Sequence, residues 1–157
     1  MPHQKILIKN GTVVHSGMLD VADILIEDQR IAKIQNDITV SADREIDATN
    51  KLVLPGGIDS HCHIEQRSAS GLINSDTFLS GTTAAALGGN TTVIPFAAQY
   101  EGDSLIKIVQ EYHELAKENA IVDYSMHMII AGPSDDVIDF QLPELIKEGH
   151  SSIKIFM

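Results

Sequence analysis

The sequence has no tryptophan, a single cysteine and only 4% aromatic residues. One thiol cannot close an internal disulfide, which excludes a disulfide-stapled scaffold and suits a reducing compartment. Basic residues are scarce: 11 Lys and Arg stand against 22 Asp and Glu, a formal charge of −11. Nucleic-acid binding needs clustered Lys and Arg, so that class is set aside. No apolar run approaches the ~20 residues that span a bilayer. The start, MPHQKILIKN, lacks the apolar stretch of a secretory signal. A cytoplasmic protein is the expectation, with neither nucleic acid nor membrane as partner.

What is present is an ordinary globular composition. The chain has 157 residues, of which 43% are hydrophobic and 21% charged, enough to bury a core. Residues 1–54 read as short strands. Ile6 to Ile8 and Thr12 to Val14 flank Asn10-Gly11, a pair that favours a tight hairpin turn. Val21 to Ile26 and Ile31 to Ile34 form a second hairpin across Glu27-Asp28-Gln29-Arg30, with the partial alternation of a half-buried sheet. Strands at Glu45 to Asp47 and Lys51 to Leu54 complete a β unit.

Pro55-Gly56-Gly57 ends that pattern. Strands are expected at Ile58 to His63, Thr91 to Phe96, Ile121 to Ile130 and Ser151 to Met157. Helices are expected at Ser75 to Leu87, Ser104 to Asn119 and Val137 to Glu148. Strands alternating with helices imply βαβ units and a parallel sheet. Residues 55–157 hold four such strands, and eight would need roughly 200 residues or more, the size of a (β/α)₈ barrel. An open half-barrel would expose two strand edges, so the expectation is the front part of a longer protein.

His61-Cys62-His63 is the sharpest local feature. Side chains two apart in a strand share a face, so both imidazoles converge and suit a borderline metal such as Zn²⁺. The competing reading is two hydrogen-bonded histidines in a polar loop. Asp59 shares their face and would orient a ligand, or simply cap a turn. Lys154, between Ile153 and Ile155, shares its face with Ser152 and Phe156. A lone ammonium inside a barrel is costly, so Lys154 is paired, exposed at the mouth, or neutral. His127 ends the third strand and faces the same mouth, as a substrate contact or as a hydrogen-bonded core residue. Cys62 reads as a core thiol. His3, His15, His113 and His150 read as surface or helix positions.

Taken together, the motifs resemble the dihydropyrimidinase and D-hydantoinase branch of the cyclic amidohydrolases. They are Leu54-Pro55-Gly56-Gly57-Ile58-Asp59-Ser60-His61-Cys62-His63, Ser75-Asp76-Thr77-Phe78-Leu79-Ser80-Gly81-Thr82, Gly88-Gly89-Asn90-Thr91-Thr92, Asp123 to His127 and Ser152 to Met157. The resemblance implies an α/β fold: a TIM-like (β/α)₈ metal-dependent hydrolase barrel, its first half at 55–157, preceded at 1–54 by part of a small β-sandwich-type domain. It implies that His61, His63 and Lys154 bind two divalent ions, Zn²⁺ foremost, with Lys154 carboxylated by carbon dioxide and bridging both. The implied chemistry is ring opening of a dihydropyrimidine or 5-substituted hydantoin to an N-carbamoyl amino acid, by a metal-bridging hydroxide. The proton-shuttling aspartate and further histidine ligands would lie beyond Met157, so the 157 residues alone would be inactive. A homotetramer acting on a small cyclic amide or ureide is also implied.

The segment Ile64 to Ile73 corresponds to a pocket-shaping loop, and its Gln66-Arg67-Ser68-Ala69-Ser70 departs from the more apolar form of many dihydropyrimidinases. Thr83 and Pro95 also depart from the family pattern. Other readings are an allantoinase-like enzyme, a non-catalytic scaffold of the collapsin-response-mediator type, or a complete small protein holding one metal weakly.

Overall fold

Asn10 and Gly11 do not turn the chain. In the computed structural model, which describes residues 4–15 and 18–156, β1 runs unbroken over Lys5–His15. Antiparallel β2 (Met18–Glu27) follows it with a register shift between Ile8 and Gly11. Asn10, at φ +61°, occupies a β-bulge where a hairpin turn was expected. The buried Asp23 side chain stabilises it, its carboxylate accepting the Asn10 N–H at 2.9 Å and the Ile38 N–H at 3.0 Å. Gly11 is required by close approach, since a Cβ there would lie 2.5 Å from Val53 Cγ2. The fixed partners of the bulge outweigh the local turn preference of the pair.

The second hairpin forms as expected. β3 (Arg30–Gln35) pairs antiparallel with β2, and Asp28 and Gln29 both take positive φ, as a two-residue turn of matching twist requires. β3 is exposed at every position, with Ile31 at 62% and Ile34 at 43%, so the half-buried face expected there is absent. β4 (Arg44–Asp47) and β5 (Leu52–Val53) run parallel to β1 and complete a five-stranded sheet. Small cores form around Leu7, Leu25 and Ile38 and around Val13, Ala22 and Ile24.

The chain divides into two compact units, Met1–Pro55 and Gly56–Met157. In the second, every strand pairing is parallel. β6 (Gly57–Asp59), β7 (Asn90–Val93) and β9 (Asp123–Tyr124) form one three-stranded sheet, in the order β6-β7-β9. β8 (Phe96–Gln99), β10 (His127–Ile130) and β11 (Ile153–Lys154) form another, in the order β11-β10-β8. The strands expected at Thr91 to Phe96 and Ile121 to Ile130 are therefore each broken in two. Pro95 lies at the first break, where it has no N–H to give a ladder. Single bonds carry the pairing across: Ser125 N–H donates to Val93 O at 3.1 Å and His127 N–H to Pro95 O at 2.8 Å.

Three helices cover one face of these strands. α1 (Phe78–Leu87) begins three residues later than the expected start at Ser75, because Thr77 and Ser80 exchange side-chain and backbone bonds in a capping box. α2 (Leu105–Asn119) starts at the expected Ser104 cap. It buries Leu105, Val109, Tyr112 and Ala116, the stripe of an amphipathic helix. The third helix splits into a π-helical turn (Val137–Gln141) and α3 (Leu142–Lys147). Pro143 explains the split: it cannot donate four residues back, and Leu142 N–H reaches five residues back to Val137 O. Phe78, Ala97, Met126, Met128, Ile130 and Leu145 join the α2 stripe in the main core.

Register decides what the other face carries. Ala97 aligns with Met128, and both are buried with the helices. Phe96 aligns with His127, and Ala98 with Ile129, which in turn aligns with Lys154. Side chains alternate along a strand, so Phe96, His127, Ile129 and Lys154 share the face turned away from the helices.

Candidate metal centre

β6 ends at Asp59, so His61 and His63 lie in the loop after it, beyond the strand expected to run to His63. Their convergence comes from a turn. Asp59 Oδ1 accepts the His61 N–H at 3.1 Å, the local bond by which aspartate stabilises a turn. The imidazole rings lie edge to face at 5.4 Å between centroids. Both rest on the buried Phe96 ring, at 4.8 Å for His61 and 5.0 Å for His63.

The same ring gathers the other two candidates. Lys154 Nζ lies 4.3 Å from the Phe96 centroid and 5.6 Å from that of Phe156. Among the described residues Lys154 has no carboxylate partner. Its ammonium meets aromatic faces, a modest cation–π attraction. The His127 ring lies 4.9 Å from Phe96. Two imidazoles from the end of one parallel strand, one from the third and an amine from the fourth therefore surround a single phenyl ring.

Their hydrogen bonds separate the histidines. His127 Nε2 lies 2.9 Å from Ser60 O, and its Nδ1 lies 2.5 Å from Ser152 Oγ. A carbonyl only accepts, so Nε2 carries the proton and donates, and in the neutral ring Nδ1 accepts from the serine. Both nitrogens are engaged, and His127 ties the residue before His61 to the strand that carries Lys154. His63 Nδ1 lies 2.5 Å from Gln66 Oε1. An amide oxygen only accepts, so Nδ1 donates and the Nε2 lone pair is left for a ligand. Metal-binding histidines are oriented in this way.

The donor set fits a borderline divalent ion as part of a site. Among the described residues no three His, Cys, Asp or Glu side chains gather as a metal cluster; the third candidate beside His61 and His63 is Lys154. Cys62 stands apart: burial, with Asp59 nearby, pushes its thiol up to about 11, and it packs against the main core. His113 is exposed and contacts Tyr124 through Nδ1 at 3.1 Å. His3 and the side chain of His15 lie outside the described residues.

Several organising residues escaped the sequence reading. Gln99 is fully buried, its Nε2 lying 2.6, 3.1 and 3.0 Å from Tyr100 O, Asp103 O and Gly132 O, which share its two N–H donors. Its Oε1 accepts the Gly132 N–H at 3.1 Å, so one amide stitches the loops that follow β8 and β10. Arg67 pairs with Asp103, and Tyr112 donates its hydroxyl to Ile64 O. Burial raises the pKa of that hydroxyl. Arg67 falls in the Gln66 to Ser70 stretch already singled out, but Gln99, Asp103 and Tyr112 lie in no motif, and a lone Gln at a strand end was the only signal for them.

No family model matches the chain. It is 43% identical over 152 residues to a D-hydantoinase of Geobacillus stearothermophilus, covering 96% of this chain and 32% of that protein. It is 37% identical over 161 residues to the dihydropyrimidinase of Rattus norvegicus, covering 99% and 31%. A crystal structure of a D-hydantoinase superposes with a TM-score of 0.90 at 39% identity, covering 98% of this chain and 33% of that one. The chain thus spans about a third of the length of the curated relatives it matches. Across nearly all of its residues, it is a member by sequence and by fold of the D-hydantoinase and dihydropyrimidinase family.

Proposed function

We propose that this chain supplies part of the metal centre of a cyclic-amide hydrolase. The substrate would be a dihydropyrimidine or a 5-substituted hydantoin, opened to an N-carbamoyl amino acid. The observation that carries the reading is the convergence of His61, His63 and Lys154 on Phe96 at the ends of parallel strands, where barrel enzymes place their chemistry. The names of the relatives, D-hydantoinase and dihydropyrimidinase, support this reading over an allantoinase-like enzyme or a scaffold. The sequential parallel order of the strands supports reading 55–157 as the first four strands of a (β/α)₈ barrel. Residues 1–54 would then be part of a β-sandwich-type domain.

His61 and His63 would hold one divalent ion, Zn²⁺ by donor type, and Lys154 would bridge it to a second as its carbamate. Carbamate formation would begin with loss of a proton from the ammonium to water; the neutral Nζ would then join the carbon of carbon dioxide and shed a second proton to water, so that an anionic oxygen ligand replaces a cation. Divalent ions at such a site lower the pKa of water and polarise a carbonyl. Phe96 closes the floor of the site to water, Asp59 holds the His61 backbone, and His127 holds Ser60 against Ser152. The test is ring opening of dihydrouracil and a 5-substituted hydantoin by the natural protein, with and without a chelator. Turnover abolished by chelation and by His61→Asn is expected; turnover insensitive to both refutes the reading.

A further inference from the structure

We propose that Gln66 is the positioning residue for His63: its side-chain oxygen selects the Nδ1–H form of the ring and so aims the Nε2 lone pair into the centre. This rests on the reading of His63 as a metal ligand. Gln66 lies in the polar stretch Gln66-Arg67-Ser68-Ala69-Ser70.

The geometry favours a held Gln66 over a chance contact. Its Oε1 lies 2.5 Å from His63 Nδ1. Its own backbone is fixed on both sides, the N–H donating to Asn74 Oδ1 at 2.7 Å and the carbonyl accepting the Asn74 N–H at 3.3 Å. The next residue is anchored more firmly still. Arg67 bridges to Ile73, pairs with Asp103 and lies over the Tyr100 ring at 5.5 Å. Tyr100 donates its hydroxyl to Arg67 O at 3.0 Å, and its N–H to Asp103 Oδ2 at 3.2 Å. Gln99 then ties Tyr100 and Asp103 to Gly132. A chain of fixed groups therefore runs from the loop after β10, through the loop after β8, to the side chain against His63. The one ion pair in this chain, Arg67 with Asp103, is modest alone; with the hydrogen bonds around it, it leaves Gln66 few places to move.

The functional consequence is a ring locked in one tautomer. Outer partners of metal-binding histidines set ring orientation and basicity, and their loss typically costs 10–100-fold in metal affinity. An apolar residue at 66 would leave Nδ1 without this acceptor and the ring free to rotate.

The test uses the full chain with ¹⁵N-labelled histidine at about pH 8.5, where imidazole is neutral. The wild type should show His63 protonated at Nδ1, Gln66→Leu should move the proton to Nε2, and Gln66→Glu, which keeps an oxygen acceptor, should retain Nδ1–H. Titration with Co²⁺ should show about 10–100-fold weaker binding in Gln66→Leu and near recovery in Gln66→Glu. A Leu variant that lowers the melting temperature but leaves tautomer and Co²⁺ affinity unchanged overturns the proposal. If the wild type takes up no Co²⁺, the metal reading falls by itself. The tautomer then decides the Gln66 role, and His63 protonated at Nε2 in the wild type overturns it.

Discussion

His127 Nδ1 lies 2.5 Å from Ser152 Oγ, while the opposite nitrogen of the same ring lies 2.9 Å from Ser60 O. One imidazole therefore spans the chain just before His61 and the strand just before Lys154. His127→Ala should lower unfolding stability by about 1–3 kcal/mol, the cost of leaving part-buried partners unpaired. It should also weaken metal uptake, because His61 and Lys154 lose their common tie. Urea unfolding and a Co²⁺ titration of the same samples check both, and unchanged metal affinity would reduce His127 to a packing residue.

Lys154→Ala should abolish uptake of the second metal equivalent in the natural protein and with it the ring-opening activity. Small carboxylic acids should restore part of both, by supplying the oxygen ligands that a carbamate would provide. Metal content by elemental analysis is the readout. Full metal and full activity in the variant would refute the bridging role.

Tyr112→Phe removes one oxygen from the main core. The hydroxyl donates to Ile64 O, adjacent to His63, from a residue only 6% exposed. The buried carbonyl left behind should cost about 1–3 kcal/mol in chemical denaturation. A stability loss well below that range would mean that the loop shifts to re-pair the carbonyl.

Asp23→Ala should destabilise the Met1–Pro55 unit by a similar amount or more, since a buried carboxylate serves two amides there. Asp23→Asn keeps one acceptor oxygen and should recover part of the loss. Amide exchange at Asn10 and Ile38 reports the two bonds directly; unchanged protection in Asp23→Ala would refute the account of the bulge.

The alternation of strands and helices after Pro55 was legible because it rests on periodicity, a local property of the chain. The Ser104 cap and the α2 stripe were legible for the same reason. So was the Asp28-Gln29 turn, a short polar link between two apolar runs. The sequence also singled out His61 and His63 by their spacing, and Lys154 by the cost of a lone ammonium inside a barrel.

Other features depended on partners distant in sequence. Asn10-Gly11 carries a turn signal, yet Asp23, Ile38 and Val53 together make it a bulge. The expected strand to His63 stops at Asp59, because the Asp59 side chain takes the His61 amide that a ladder would have used. The break between β7 and β8 falls at Pro95 and the π-helical turn follows from Pro143, whose effects depend on which donor the surrounding structure calls for. No pattern along the chain could place Phe96 beneath both imidazoles and the lysine, or set Gln66 against His63. Composition and periodicity determined the class of elements and the candidate donors. Tertiary structure alone decided their convergence, because hydrogen bonds and ring contacts between residues tens of positions apart form only when the strands are in register.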